Sequence, residues 1–194
     1  MAASRVYARA EEGPLRQGLI LTGLVQAKLQ VDWMGPTFTE SGKAPFDLTT
    51  HPFVVVLSQD CDLDWDHRAR EDGGKGDKRL PSVLFCEAIE AKVLRGRSDI
   101  KSDIWKRIRL NKDERYQFLQ RIPPEEDALG RGLPELGIDF KRYFTIPTDE
   151  VYGQLKAVAK RRARLVSPYL EHLGSRFCHF QSRVALPAEH LSEP

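Results

Sequence analysis

The chain is poor in cysteine and leaves no room for a disulfide framework. Only Cys61, Cys86 and Cys178 occur in 194 residues, an odd number at wide spacing, which argues for a reducing compartment. Close pairs of the C-x2-C kind are also missing, so no zinc centre is expected. No apolar run approaches the ~20 residues needed to cross a bilayer. The opening stretch MAASRVYARAEEGPLRQG has no apolar h-region, and no secretory signal is read there. Internal repeats and low-complexity tracts are missing too. The expectation is a cytoplasmic globular protein with no membrane contact. A hydrophobic content of 41% and a charged content of 30% fit that class.

The formal net charge of +2 conceals an asymmetry. Between Gln59 and Asp72, Asp60, Asp62, Asp64, Asp66, Glu71 and Asp72 face only Arg68 and Arg70. Between Lys156 and Arg183, Lys156, Lys160, Arg161, Arg162, Arg164, Arg176 and Arg183 face only Glu171. Such separation suits a face for a polyanion, although charge runs are usually solvated helix faces.

Hydrophobic periodicity places strands in the first three quarters of the chain. LVQAKLQV alternates, with Val25, Ala27, Leu29 and Val31 on one face. FVVVLS is a β-branched run of the kind buried on both faces. PSVLFCEAIEAKV, IWKRIRLN, ERYQFLQRIP and FKRYFTIP read as further strands. Residues 67–79 and 123–137 are charged or Gly/Pro-rich and read as loops. The period then changes. Thr148 or Asp149 can cap a helix that carries Val151, Leu155 and Val158. Ser167-Pro168 opens a second, on which Leu170, Leu173, Phe177, Phe180 and Val184 form one apolar stripe. The expected fold class is α+β: residues 1–147 form a small antiparallel β-barrel or bent sheet. Residues 148–187 form a helical pair packed on it within the same compact unit.

The stretch FVVVLSQDCDLDWDH carries most of the candidate chemistry. Asp60, Asp62, Asp64, Asp66 and Glu71 fall at positions 1, 3, 5, 7 and 12 of a calcium-loop pattern, but Trp65 stands where the sharp turn needs Gly. Asp60 and Asp62 at the end of an apolar strand also resemble the carboxylates of metal-dependent phosphoryl transfer. Those enzymes are built on parallel sheets with alternating helices, so this is a minor alternative. No metal and no cofactor are expected. The reading instead makes Ser58–Asp62 an exit turn in which Ser58 and Gln59 bond to local backbone. The aspartates are too costly to bury together, so any buried one should pair with a base from Lys160–Arg164 or with a cation. Cys61 is the one thiol with a candidate role, and Cys86 reads as core.

Two basic clusters point to nucleic acid. Lys160, Arg161, Arg162 and Arg164 lie on and just after the first predicted helix. Trp105, Arg107 and Arg109 interleave aromatic and basic residues on a predicted strand. Each cluster alone is ordinarily a solvated face. Two in one chain favour single-stranded RNA as a partner.

PLRQGLILTG followed by HPFVVVLSQD resembles the opening of MazF/PemK-type toxins, over the stretch from Leu15 to Ala91. The resemblance implies an SH3-like barrel, cleavage of single-stranded RNA and an antitoxin-like protein partner, or membership of a defence complex. On it, Arg16, His51, Ser58, Gln59, Cys61 and Asp62 are the candidate catalytic residues. The chain departs from the pattern where His51 replaces the family's Arg and FCEAIEA replaces a Thr/Ser-bearing turn. The acidic insert and the C-terminal helices have no counterpart. Ser58, Gln59, Cys61 and Asp62, with Ser167, Pro168 and Tyr169, also match a bacterial group that carries S-Q-x-C-D and S-P-Y. Against the RNA reading stands a non-catalytic protein–protein interaction or regulatory module, which needs no catalytic Thr or Ser.

Overall fold

The run Phe53–Val56 (β5) is the middle strand of a seven-stranded antiparallel sheet. Its Val54, Val55 and Val56 are fully buried, as is nearly all of Leu57. A β-branched run suits this position because side chains pack on both of its faces. The structure is a computed structural model and describes residues 5–29, 46–73 and 76–183. The sheet is completed by β1 (Tyr7–Arg9), β2 (Leu19–Thr22), β6 (Ser82–Glu90), β7 (Tyr116–Leu119), β8 (Leu136–Pro147) and β9 (Lys160–Leu165), in the order β1-β9-β2-β5-β6-β8-β7. Separately, β3 (Leu24–Leu29) and β4 (Phe46–His51) pair as a two-stranded ribbon.

The sheet is strongly curled. Between Cys86 and Ala88 of β6 the register on β8 jumps from Tyr143 to Ile138, and extra residues in one strand bend a sheet in this way. The ends come close: the Tyr7 hydroxyl of β1 donates to the Gln120 carbonyl just beyond β7 (2.9 Å). A bent antiparallel sheet with helices packed on it was the expected class, and the chain adopts it.

Each face of the sheet carries a core. On one, Tyr7, Ile20, Val55, Phe140 and Ala163 pack against Leu173 and Phe180 of α5 (Tyr169–Ser182). On the other, Leu21, Val54, Val56 and Phe85 pack against Leu63 of α1 (Asp60–Glu71) and Val151 of α4 (Thr148–Ala157). A smaller cluster joins Leu94 of α2 (Ala91–Arg95) and Ile108 of α3 (Ser102–Arg109) to Ile100 and Tyr116. Cys86 is buried, and burial pushes its thiol pKa up.

Several sequence expectations give way here. The acidic stretch is a helix rather than an exit turn followed by a 67–79 loop, because Leu63, Asp66 and Ala69 recur at three and share its buried side. IWKRIRLN is α3, not a strand. Ile104 and Ile108 are one helical turn apart, and Lys and Arg are good helix formers. The basic run 160–165 is β9, so the expected helical pair of 148–187 is helix, strand, helix. Pro147 rather than Thr148 or Asp149 occupies the cap position of α4, and Pro168 rather than Ser167 that of α5. The 123–137 loop contains a short 3-10 turn at Pro124–Glu126 and ends where β8 begins. Val31 and the residues from Val184 onward lie outside the described residues. Among the described residues no helix is long and apolar enough to cross a membrane.

Candidate functional site

Strand β9 lies between β1 and β2 and has one residue too many for its neighbour. Ile20 of β2 faces Ala163 while Leu21 faces Arg161, so Arg162 is bulged out of register. A bulge re-aims the side chains on either side of it. Strict alternation would put Arg161 and Arg164 on opposite faces, yet with the bulge both line one cleft. Arg162 turns the other way. Its Nε and Nη2 donate to the two carboxylate oxygens of Asp127, both at 2.8 Å, and Nη2 also reaches the Gly132 carbonyl. Asp127 is fully buried and Arg162 nearly so. This arginine is committed to the fold.

The cleft has a volume of about 240 Å3 and is lined by Arg9, Arg16, Arg161 and Arg164 together with Glu11 and Glu12. Two of these guanidinium groups are loosely held. Arg164 Nη2 lies 3.5 Å from Asp60 and its Nε has no hydrogen-bond partner. Arg16 lies 3.5 Å from Asp64. Arg161 instead donates to the carbonyls of Gly13 (2.6 Å) and Pro14 (3.2 Å), fastening the N-terminal segment over the sheet.

Helix α1 supplies the adjoining wall. The Asp60 carboxylate accepts from the Gln17 amide at 2.7 Å, which ties the helix start to the segment before β2. Ser58 Oγ accepts the Leu84 amide at 2.8 Å, so it ends the β5–β6 ladder and does not bond locally. Cys61 is exposed, 3.7 Å from the Gln59 and Asp62 side-chain oxygens. The aspartates are distributed around the helix. Asp64 pairs with Arg16 and Arg68, while Asp62 is exposed. Only Asp66 is fully buried, and its partners are Arg70 and the Leu80 amide rather than a base from Lys160–Arg164. Among the described residues no group of three His, Cys, Asp or Glu side chains could hold a metal ion.

Glu12 and Arg161 also border a second cleft, of about 700 Å3, between α1 and α4. Its lining includes His67, Arg70, Arg79, Tyr152 and Lys156. His67 pairs with Glu71, and Arg70 with Asp66 and Asp149. Among the described residues, Arg79 and Lys156 have no ion-pair partner. Arg79 borders a further groove with Lys78 and Trp65, whose indole is 57% exposed. A path of mixed charge therefore runs along α1 to an open aromatic ring, with Glu12, Glu71 and Asp149 in the second cleft and Asp62 and Asp77 in the groove beside Trp65.

The structure brings Arg16, Arg161 and Arg164 together, with Asp60 touching the last. His51 is elsewhere. It is buried, stacked on Phe144 at 4.2 Å and 3.3 Å from Gln26 Oε1. Burial lowers its pKa, with Glu87 opposing, so the ring is held toward its neutral form. Trp105 sits edge-on to Phe118, and Arg107 lies 3.5 Å from Asp113. Arg109 borders a separate small cavity near Tyr7, and Lys160 is exposed at the start of β9. Arg9, Arg70, Arg79, Tyr152 and Trp65 are additions that sequence reasoning missed, whereas Lys156 is counted in the basic run. Of the residues missed, only Trp65, an aromatic residue among charges, gave a signal. The chain matches no family model, no curated protein and no solved structure in the comparisons made.

Proposed function

We propose that this protein binds single-stranded RNA through the arginine-lined cleft, with Arg79, Lys156 and Trp65 of the clefts along α1 as further contacts, in a bacterial toxin, defence or regulatory setting. The observation that carries the reading is the gathering of Arg16, Arg161 and Arg164 on one cleft; Arg9 also borders it, but its guanidinium donates to the Ala128 carbonyl at 2.9 Å. Guanidinium groups match phosphate oxygens in a planar, two-pronged way. A row of cations next to an exposed aromatic ring is how sequence-tolerant single-strand binders hold backbone and base. Cleavage at a 2′-hydroxyl would require a base and a cation at one place. His51 is buried and Ser58 Oγ already accepts a backbone amide, so we read the site as binding RNA without cutting it.

The test is fluorescence anisotropy with a mixed-sequence RNA of about 12 nucleotides. Arg16→Ala with Arg164→Ala should weaken binding by roughly ten- to a hundredfold and flatten its salt dependence by about one unit of slope per lost phosphate contact. Unchanged affinity in the double variant would discard the reading. The same RNA should remain intact on a denaturing gel.

A second reading, a protein-interaction module, is favoured by the β3–β4 ribbon. Leu48 is 71% and Phe46 58% exposed, and they pair with Ala27 and Leu29 across the ribbon. Single exposed apolar residues are common, but a row on one strand marks a contact surface. The outer side of β3 is met by Gln154, which bonds both the Val25 amide and its carbonyl. The outer edge of β4 has no strand partner among the described residues. An extended segment of a partner protein adding to β4 fits that edge. Leu48→Lys should then abolish co-purification of a stoichiometric partner from the native operon and leave RNA affinity unchanged. Loss of RNA binding instead would count against the ribbon as a separate surface.

A further inference from the structure

The small arginine cleft and the large α1–α4 cleft share Glu12 and Arg161 as border residues. Between them runs the Gly13–Pro14 backbone, held down by the two hydrogen bonds from Arg161. A polymer lying in the larger cleft meets this strap. What lies past it is a compartment of about 240 Å3, below the roughly 300 Å3 at which pockets take a drug-sized ligand. Such a volume suits the end of a chain better than a stretch of it.

That compartment sets Arg9, Arg16, Arg161 and Arg164 beside Glu11 and Glu12, and two of its guanidinium groups keep donors open. Arg162, by contrast, is held by a bidentate carboxylate at 2.8 Å and by the Gly132 carbonyl. Arg164 and Arg16 each have one carboxylate contact at 3.5 Å, longer than the roughly 2.7–2.9 Å of a charge-assisted hydrogen bond. Their donors remain open to a better acceptor. An internal phosphodiester carries one charge and two free oxygens, whereas a terminal phosphomonoester carries about −1.5 to −2 near neutral pH and three acceptor oxygens. Forked guanidinium donors engage such a group in bidentate fashion.

We infer that the arginine cleft is a seat for a terminal phosphomonoester of the bound RNA, with the Arg161-fastened strap as the end stop; this rests on the RNA-binding reading above. The 5′ and 3′ phosphates share the chemistry, and polarity is decided by experiment.

The wild-type protein is titrated with one RNA sequence in three forms: 5′-phosphorylated, 3′-phosphorylated and hydroxyl-ended. One phosphorylated form should bind about tenfold tighter than the hydroxyl-ended RNA. Because the second phosphate pKa is about 6, that preference should grow as pH rises from 5 to 7, while hydroxyl-ended RNA shows no such rise. Arg164→Lys keeps the charge but not the fork, and should bring the ratio between the two RNAs close to one whatever its absolute affinity. Equal affinity for all three RNAs overturns the end seat and leaves RNA binding standing. If no RNA binds, phosphorus NMR with inorganic phosphate decides between the two ideas. Phosphate binding that is lost in Arg164→Lys supports the seat without the polymer, and no phosphate binding overturns both.

Discussion

Replacing Asp127 by alanine should destabilise the protein by about 3–5 kcal/mol, the cost of leaving a buried guanidinium without its counter-charge. The carboxylate is fully buried and accepts from Arg162 twice at 2.8 Å. It also accepts the amides of Leu129 and Arg131, so the substitution removes the organising centre of the 127–132 loop as well. That loop has little freedom to adjust. Gly132 has φ +72°, and a Cβ there would lie 2.8 Å from the Ile122 carbonyl. Chemical denaturation of wild type and variant measures the loss, and a difference below about 1 kcal/mol would contradict the account.

The same pair sets an acid limit. Burial pushes the Asp127 pKa up, but the hydrogen bonds from Arg162 and from the two amides outweigh it and bring the group down to about 2 from an ordinary 3.8. A carboxyl whose folded pKa lies below its unfolded value stabilises the fold above about pH 4 and loses that contribution as pH falls toward 2. The magnitude is roughly 2 kcal/mol. Asp127→Asn should remove this part of the acid dependence, seen as a flatter stability profile between pH 4 and 2.

Of the four alternating aspartates of α1 only one should matter greatly for stability. Asp66→Ala should cost about 2–4 kcal/mol. It leaves the Leu80 amide without its acceptor at 2.9 Å and Arg70, 20% exposed, without its buried partner at 2.7 Å. For a chain of this size that is a fall in Tm of roughly 5–12 °C. Asp62→Ala, one helical turn earlier and exposed, should cost less than about 1 kcal/mol, mostly a favourable position near the helix N-terminus. Thermal scans of the two variants side by side make the comparison. Equal losses would mean that the burial of Asp66 does not govern the effect.

How much of this was legible depended on which force acted locally. The run Val54–Val56 could be read because burial on two faces leaves a continuous apolar run, whereas β3 alternates in sequence although Ala27 and Leu29 on its apolar face are exposed. The stripe Leu173, Phe177 and Phe180 on α5 was legible because burial on one face leaves its own spacing. The acidic helix was not, because Asp60, Asp62, Asp64 and Asp66 alternate at two and mask the three-residue spacing of Leu63, Asp66 and Ala69. Strand β9 was missed because Lys, Arg and Ala favour helix. The space between β1 and β2 overrides that preference through Ala163 and Leu165, which fill the core. The strands β1 and β2 flanking that space are short and gave no alternation long enough to count. At the site, Arg161 and Arg164 were readable as charge, but their meeting with Arg16 was not. That depends on the bulge and on a contact between distant parts of the chain.

The extra residue in β9 also bears on inheritance. A descendant chain that lost Arg162 alone would read Lys-Arg-Ala-Arg-Leu, with ordinary alternation and both cleft arginines retained, yet Asp127 would be stranded without a cation. One that lost the acid alone would strand the arginine. Each loss by itself carries the cost of an unpaired buried charge, so strand length at 162 and acid at 127 are expected to vary together, while the exposed Lys160 beside them is under no such constraint.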